Sequence, residues 1–297
     1  MRTAFITELI EQAKVNEKLF LLVGDLGYSV VEPFAELFPN RFLNIGIAEQ
    51  NMTGVAAGLA IEGYNVFTYS IGNFPTLRCI EQIRYDVCYH NLSVKIVAIG
   101  AGYAYGPLGA SHHATEDIGM LRTIPGINIC SPSDPVEAKY ITKWLCNSNA
   151  PAYLRLGKAG EKVLHDQDLV FEPNKFLCMK QGEETAVLAT GGILDVAKEF
   201  IERENNNWGL YSVPFIKPLD LDTLLKISER YNRVITIEEH QRSAGFGSAI
   251  LEGFNDLREQ GVISTIPKLK RIAIPDMFIN YSGTQDYLRE AAGLFSF

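Results

Sequence analysis

Glu49 is the residue of this chain whose type and setting point most directly to chemistry. It stands in Asn44-Ile45-Gly46-Ile47-Ala48-Glu49-Gln50-Asn51-Met52, between an apolar strand-like run and a helix of small residues over 52–60. The positive end of a helix attracts a carboxylate and holds it against backbone N–H groups. Glu in a first helical turn is also ordinary charge complementation, so position alone leaves both readings open. Other features compete for attention. Asp25 ends the first strand, at the edge where open α/β sheets bind ligands. The loop 100–111 is rich in Gly and Tyr, is too long for a plain connector, and leads into His112 and His113. Gly191-Gly192 sits at a strand-to-helix turn, where backbone N–H groups could bind an anion or simply reverse the chain; the second is favoured. Gly245-x-Gly247 is a short isolated pattern and weak evidence for a nucleotide. The five cysteines lack metal-type spacing.

These residues need a scaffold, and the apolar patterning supplies it. Short apolar runs at 19–23, 42–45, 66–70, 94–99, 127–131 and 152–156 read as strands. Segments 1–15, 31–38, 48–62, 74–90, 116–123 and 134–147 read as helices. The run at 94–99 is almost wholly apolar, as in a strand covered on both faces. Residues 157–181 break the rhythm and read as a linker with room for one strand. Alternation restarts with strands at 185–190, 208–213, 233–238 and 269–274, and helices at 193–205, 220–230, 244–260 and 285–292. Such alternation predicts an α/β fold of two domains, each a mostly parallel sheet with helices on its faces.

Composition bounds the function. At 297 residues, about two domains are expected. A hydrophobic fraction of 47% can fill their cores. The net charge of −8 argues against nucleic acid or an anionic membrane as partner, without forbidding a local basic pocket. No apolar run is long enough for a membrane helix. The opening residues, which lead into Glu8 and Glu11, read as an amphipathic helix rather than an export signal. The odd cysteine count fits reduced thiols in a cytoplasmic protein.

The Glu49 phrase resembles the pyrimidine-domain signature of thiamine-diphosphate enzymes of the transketolase family. The resemblance runs in order along nearly the whole chain. It takes in Gly24-Asp25-Leu26, Phe38-Pro39-Asn40-Arg41-Phe42, the Glu49 phrase, Ser111-His112-His113 followed by Glu116-Asp117, Leu121-Arg122-Thr123-Ile124-Pro125-Gly126, Pro132-Ser133-Asp134 and Tyr153-Leu154-Arg155. In the second half it continues through Lys217-Pro218-Leu219-Asp220, Glu238-Glu239-His240 and Gly245-Phe246-Gly247-Ser248-Ala249. It implies a thiamine-diphosphate pyrimidine-binding domain over 1–160, a linker over 161–182, and a smaller transketolase C-terminal domain over 183–297.

The resemblance also implies roles. Glu49 is the carboxylate that hydrogen-bonds the pyrimidine ring nitrogen and promotes the imino tautomer on which cofactor activation depends. Phe74 is the aromatic wall of that pocket, with Tyr69 and Tyr85 as weaker candidates. Arg78 falls at a position that is basic across much of the family, as a cofactor contact or a solvated helix charge. His112 is the histidine that exchanges protons with the substrate oxygen near neutral pH. His113 is a second substrate contact, at a position where relatives often have Gln. Arg155 holds a substrate phosphate through its planar fork, or makes an interdomain ion pair. His240 could reach an interface-built site or be purely structural.

One part of the family pattern is missing. The diphosphate-binding domain carries Gly-Asp-Gly and a downstream Asn that hold Mg²⁺ on the cofactor, an oxygen-rich site suited to a hard cation. Here Gly24-Asp25 is followed by Leu26-Gly27 and belongs to the other domain. The implied protein is therefore the C-terminal subunit of a split enzyme, with no metal ligands of its own. A separate N-terminal diphosphate-binding subunit would hold Mg²⁺ and share the cofactor, in a heterotetramer of two copies of each. The implied reaction moves a two-carbon ketol or acyl unit from a sugar or 2-oxo acid donor to an aldehyde acceptor. Two departures bear on the donor: Gly100 stands where relatives commonly have His, and Pro107-Leu108 replace an acidic pair. Fewer groups remain to meet sugar hydroxyls, so a specialised sugar or a 2-oxo acid is expected instead of standard pentose-phosphate exchange. The alternatives are a 2-oxoacid dehydrogenase β subunit and a non-catalytic scaffold. An unpaired subunit is expected to cover its apolar interface by self-association.

Overall fold

Every helix of the first half returns the chain to a strand that runs parallel to the last, which is what short apolar runs separated by helices demand. The structure is a computed structural model describing residues 1–297. Its elements begin with α1 (Arg2–Val15), β1 (Leu19–Val23), α2 (Glu32–Leu37), β2 (Phe42–Asn44), α3 (Glu49–Ile61), β3 (Asn65–Ile71), the single turn α4 (Ile80–Gln82) and β4 (Val94–Ile99). They continue with α5 (Asp117–Arg122), β5 (Asn128–Cys130), α6 (Pro135–Cys146) and β6 (Ala152–Leu156). The second half holds β7 (Leu177–Lys180), β8 (Thr185–Ala189), α7 (Leu194–Arg203), β9 (Gly209–Ser212), β10 (Phe215–Lys217), α8 (Leu221–Arg230), β11 (Arg233–Gln241), α9 (Phe246–Glu259), β12 (Lys268–Ile274) and α10 (Gln285–Ala291).

The first sheet has seven strands in the order β10-β5-β6-β4-β3-β1-β2, and the second has five in the order β12-β11-β8-β9-β7. Pairing is parallel throughout except at one edge of each, β10 with β5 and β7 with β9. All six residues of β4 are buried, as its composition requires. On one face of the first sheet, α1 and α6 pack over Phe67, Val97 and Leu154. On the other, α3 presents Met52, Ala56 and Ala57 to Leu22 and Val66. Small residues let α3 lie close, which brings its first residue, Glu49, to the carboxyl edge of the strands.

Two elements depart from the sequence expectation. The segment 74–90 is not one α-helix: it passes through a 3₁₀ turn (Leu77–Cys79), α4, and a π-helical stretch (Ile83–Cys88). Such π turns are rare and gather at functional sites. Strand β10, only three residues long and just before Pro218, was too short to show a period, yet it carries the second half of the chain back onto the first sheet. The linker holds β7, the one strand for which it had room.

Candidate active site

Glu49 opens α3 and is 1% exposed. Its carboxylate has one fixed partner and one adaptable one. Ser70, fully buried at the end of β3, donates its hydroxyl to Glu49 Oε1 at 3.0 Å. Arg78 Nη1 donates to Oε2 at 3.3 Å from a side chain that is half exposed. Gly24, at the end of β1, leaves room for this arrangement: a Cβ there would lie 3.3 Å from Glu49 Oε1 and 3.4 Å from Ser70 Oγ. The backbone of α3 is tied down by Thr53, whose hydroxyl donates to Glu49 O at 3.0 Å, and by Gln50, whose amide donates to Arg78 O at 3.0 Å.

Beside the carboxylate stands an aromatic wall. Phe74 follows β3 and is half-buried; the Arg78 guanidinium lies 5.0 Å from its ring centre, a cation–π contact. His112 meets Phe74 edge to face at 5.3 Å between ring centres. The sequence-predicted residues Glu49, Phe74, Arg78 and His112 therefore come together at the carboxyl edge of β1–β3, although they are far apart in the chain. The His112 loop is pinned by Asn73, whose amide donates to His113 O at 2.8 Å and to Ser111 O at 3.3 Å. His112 Nδ1 pairs with Ser111 Oγ at 3.0 Å, leaving Nε2 as the ring's other polar atom. Ser70 and Asn73 were not singled out in the sequence. A polar residue closing a strand that is otherwise buried was the available signal for Ser70.

His113 does not join this group. It is buried, with Nε2 3.4 Å from Gly106 O and its ring edge-on to Tyr103 at 5.1 Å. Burial, the largest influence, holds it below the usual histidine range. A neutral ring bonded to backbone is a support for the loop.

Arg155 lies elsewhere too. Its side chain is 2% exposed in the seam between the two halves. Nε donates to Asp117 Oδ2 at 2.7 Å, and Nη2 donates to Ala114 O at 2.7 Å and to Glu239 O at 3.0 Å. Tyr153 adds a hydroxyl to the same Asp117 oxygen at 2.5 Å. Burial pushes Asp117 up, but Arg155 and then His240 outweigh it and hold the carboxyl below its ordinary range. Two of the three Arg155 nitrogens are thus engaged within the protein: the ion pair with Asp117 lies inside the first domain, and the bond to Glu239 O ties β6 to β11. His240 serves the same seam: Nε2 accepts from Gly119 N at 3.1 Å, and burial holds the ring below the usual range. Its neighbour Glu238, pushed by burial up to about 7, accepts the first N–H groups of α9.

A buried carboxylate with one half-exposed partner, next to a flat apolar wall and a histidine, suits a flat heteroaromatic ring that offers a nitrogen. No group of three or more His, Cys, Asp or Glu is placed to hold a metal ion.

Comparison with known proteins identifies both halves of the chain at the level of family. Residues 1–160 match the family model "Transketolase, pyrimidine binding domain", and residues 174–295 match "Transketolase, C-terminal domain". The chain is 34% identical over 294 residues to an apulose-4-phosphate transketolase subunit of Actinobacillus succinogenes, covering 97% of this chain and 92% of that protein. It is 35% identical over 302 residues to "Putative transketolase C-terminal section" of Methanocaldococcus jannaschii, covering 99% and 92%. A solved structure described as "Split gene transketolase, inactive beta4 tetramer" superposes with a TM-score of 0.85 at 31% identity, covering 99% of this chain and 93% of that one.

Proposed function

The chain belongs to the transketolase family, and from that premise we propose that it builds the Glu49 half of a thiamine-diphosphate site shared with a second subunit. The family and the relatives make it a transferase subunit of the transketolase type, and a 2-oxoacid dehydrogenase β subunit is not favoured. The observation that carries the shared-site reading is the buried Glu49 carboxylate, held by Ser70 and by the half-exposed Arg78 that also lies against Phe74. Thiamine diphosphate, when bound, supplies the electron sink for cleaving a C–C bond beside a carbonyl. Glu49 holds the pyrimidine nitrogen, Ser70 fixes the carboxylate, Phe74 excludes water, and His112 manages a proton at the substrate oxygen.

The diphosphate and its Mg²⁺ fall to a separate N-terminal subunit, since this chain has no Gly-Asp-Gly. Exposed apolar side chains of the first domain support a surface that subunit would cover: Tyr28 is 72% exposed, Ile47 79%, Tyr85 51% and Tyr89 77%. Without that subunit, the same surface drives self-association. The related structure's description as an inactive β4 tetramer supports this reading. Four buried cysteines and one exposed one, all unpaired, suit a cytoplasmic protein.

The donor is a specialised sugar phosphate. Gly100 has φ +96°, and the Tyr105 ring lies where a side chain at residue 100 would go, so no polar group stands there. Pro107-Leu108 sit in an exposed turn with Leu108 outward. A sugar rich in hydroxyls would find few partners here, and the relatives named for apulose 4-phosphate support that sugar phosphate as the donor. The test is a donor screen with this chain and its diphosphate-binding subunit. Turnover of apulose 4-phosphate well above xylulose 5-phosphate supports the reading, and efficient use of xylulose 5-phosphate refutes it.

A further inference from the structure

A cavity of about 650 Å³ opens in the seam between the two domains. It is lined from the first by Ala101, Arg155 and Gly157, and from the second by Gly192, α7 and the C-terminal phenylalanines. It shares no lining residue with Glu49, Phe74, Arg78 or His112. Its inner end holds the start of α7 and the guanidinium of Arg155. The Gly191-Gly192 turn is a 3₁₀ turn, with Leu194 N–H returned to Gly191 O, that leads into the ten-residue helix α7. The first N–H groups of α7 carry the positive end of that helix. Beside them lies the third nitrogen of Arg155. Nη1 makes no hydrogen bond, although only 2% of the side chain is exposed, and a Cβ built at Gly191 would lie 3.9 Å from it. A guanidinium that deep with an unused donor beside a helix N-terminus is a place for an oxyanion.

The far end of the cavity is apolar. Phe200 and Phe297 stack with ring centres 4.2 Å apart, and both line it. Gly192 and Phe200 are eight residues apart along the helix, or about 12 Å. We propose that this cavity binds a small organic oxyanion, a phosphate or carboxylate whose charged end meets Arg155 and the start of α7 at Gly192 and whose apolar body lies toward Phe200 and Phe297. The carboxylates that line the cavity are mostly occupied. Glu239 and Asp286 are held by Arg289, Glu199 by Lys162, and Glu161 by the Met1 amino group. Asp195 is in no ion pair; its carboxyl accepts from Val196 N on its own helix, and it opposes the ligand's charge. Arg155 also holds Ala114 O, two residues after His112, so an occupant shares its anchor with the loop that carries His112.

The experiment is calorimetric titration of the full chain with phenyl phosphate, benzoate and inorganic phosphate at matched ionic strength. Saturable binding of phenyl phosphate or benzoate, tighter than that of inorganic phosphate, is the expected result, and the tighter of the two identifies the head group. A residue at 192 is sterically free, since a Cβ there meets only Met1 Cε at 3.5 Å. Gly192→Asp should weaken binding about tenfold by placing a carboxylate at the helix end, whereas Gly192→Ala leaves it unchanged. Asp195→Asn should tighten it about threefold, and this variant decides the matter if thermal melts show that Gly192→Asp does not fold. No saturable binding by any of the three probes overturns the proposal. So does equal binding by folded Gly192→Asp, or by Asp195→Asn, relative to the native chain. Loss of binding in His112→Ala with retention in Gly192→Asp would put the anion beside Glu49 and also overturns it.

Discussion

Replacing His165 with Gln should cost stability in a way that depends on pH, with a sign fixed by the structure. His165 lies in the linker and is 3% exposed at its side chain, with Nδ1 3.2 Å from Asp134 Oδ2 and Nε2 3.3 Å from Glu137 Oε1. Both carboxylates belong to the start of α6. Asp134 caps that helix and accepts N–H groups from Glu137, Leu164 and His165, while Glu137 accepts from Ser133 N at 2.6 Å. Burial alone would lower His165, but the close Asp134 carboxylate and the charge of Glu137 outweigh it; Lys198 opposes them, and the ring is held above its usual 6.5. A base raised on folding contributes stability that is complete below about 6.5 and fades as pH climbs through the higher folded value. Breaking a buried ion pair costs about 3–5 kcal/mol, since the surviving charge is left without a partner. Neither ring nitrogen is aligned as a hydrogen bond, so the lower end applies: about 3 kcal/mol at pH 6, with a smaller cost at pH 9. Urea unfolding of both proteins across this range gives the difference curve, in which Glu238 and Lys95, both titrating at about 7 in the fold, cancel. A difference that is flat, or that grows with pH, refutes the reasoning.

Two further substitutions test other parts of the molecule. Lys95 is fully buried in β4, donates to Ser93 Oγ at 3.0 Å and to Ala150 O at 2.8 Å, and is pushed by burial down to about 7. The unfolded chain therefore binds the extra proton between about 7 and 10.5, and stability falls as pH drops through that window; Lys95→Met should gain about 2 kcal/mol at pH 6, net of two lost hydrogen bonds, and lose about 2–3 kcal/mol above pH 10.5, where only the lost bonds count, by chemical unfolding. Ser70→Ala removes the hydroxyl that fixes Glu49 Oε1. It should lower kcat of the two-subunit enzyme about tenfold with little change in KM for the donor, since one neutral hydrogen bond aligns the carboxylate without touching substrate; a rise in KM at unchanged kcat would assign Ser70 to substrate binding.

What the sequence revealed depended on how local the signal was. The strands at 19–23, 94–99 and 152–156 coincide with β1, β4 and β6, because unbroken apolar runs between helices leave little choice. Glu49, Phe74, Arg78 and His112 could be picked out from motif residues, each in a stretch that follows a strand. Ser70 and Asn73 escaped because their importance lies in what they touch across the sheet edge. Arg155 shows the limit from the other side: a motif residue suited to phosphate, whose direction was settled by Asp117 and Glu239, 38 and 84 positions away. Strand β10 was hidden for a related reason, since three residues cannot show a period and the pairing that makes them a strand comes from Ile129 and Cys130.

The central claim is that Glu49 activates thiamine diphosphate in a site completed by a second subunit. The direct measurement is hydrogen–deuterium exchange at the thiazolium C2 of the cofactor bound to the two-subunit complex purified from its cells, followed by NMR after rapid acid quench, for the native chain and for Glu49→Gln. The account predicts exchange in the native complex that is faster than for free cofactor, and at least about 100-fold slower exchange in Glu49→Gln, the range for loss of a charged hydrogen bond that directs proton transfer. Equal exchange in the two complexes, with cofactor bound in both, would contradict it.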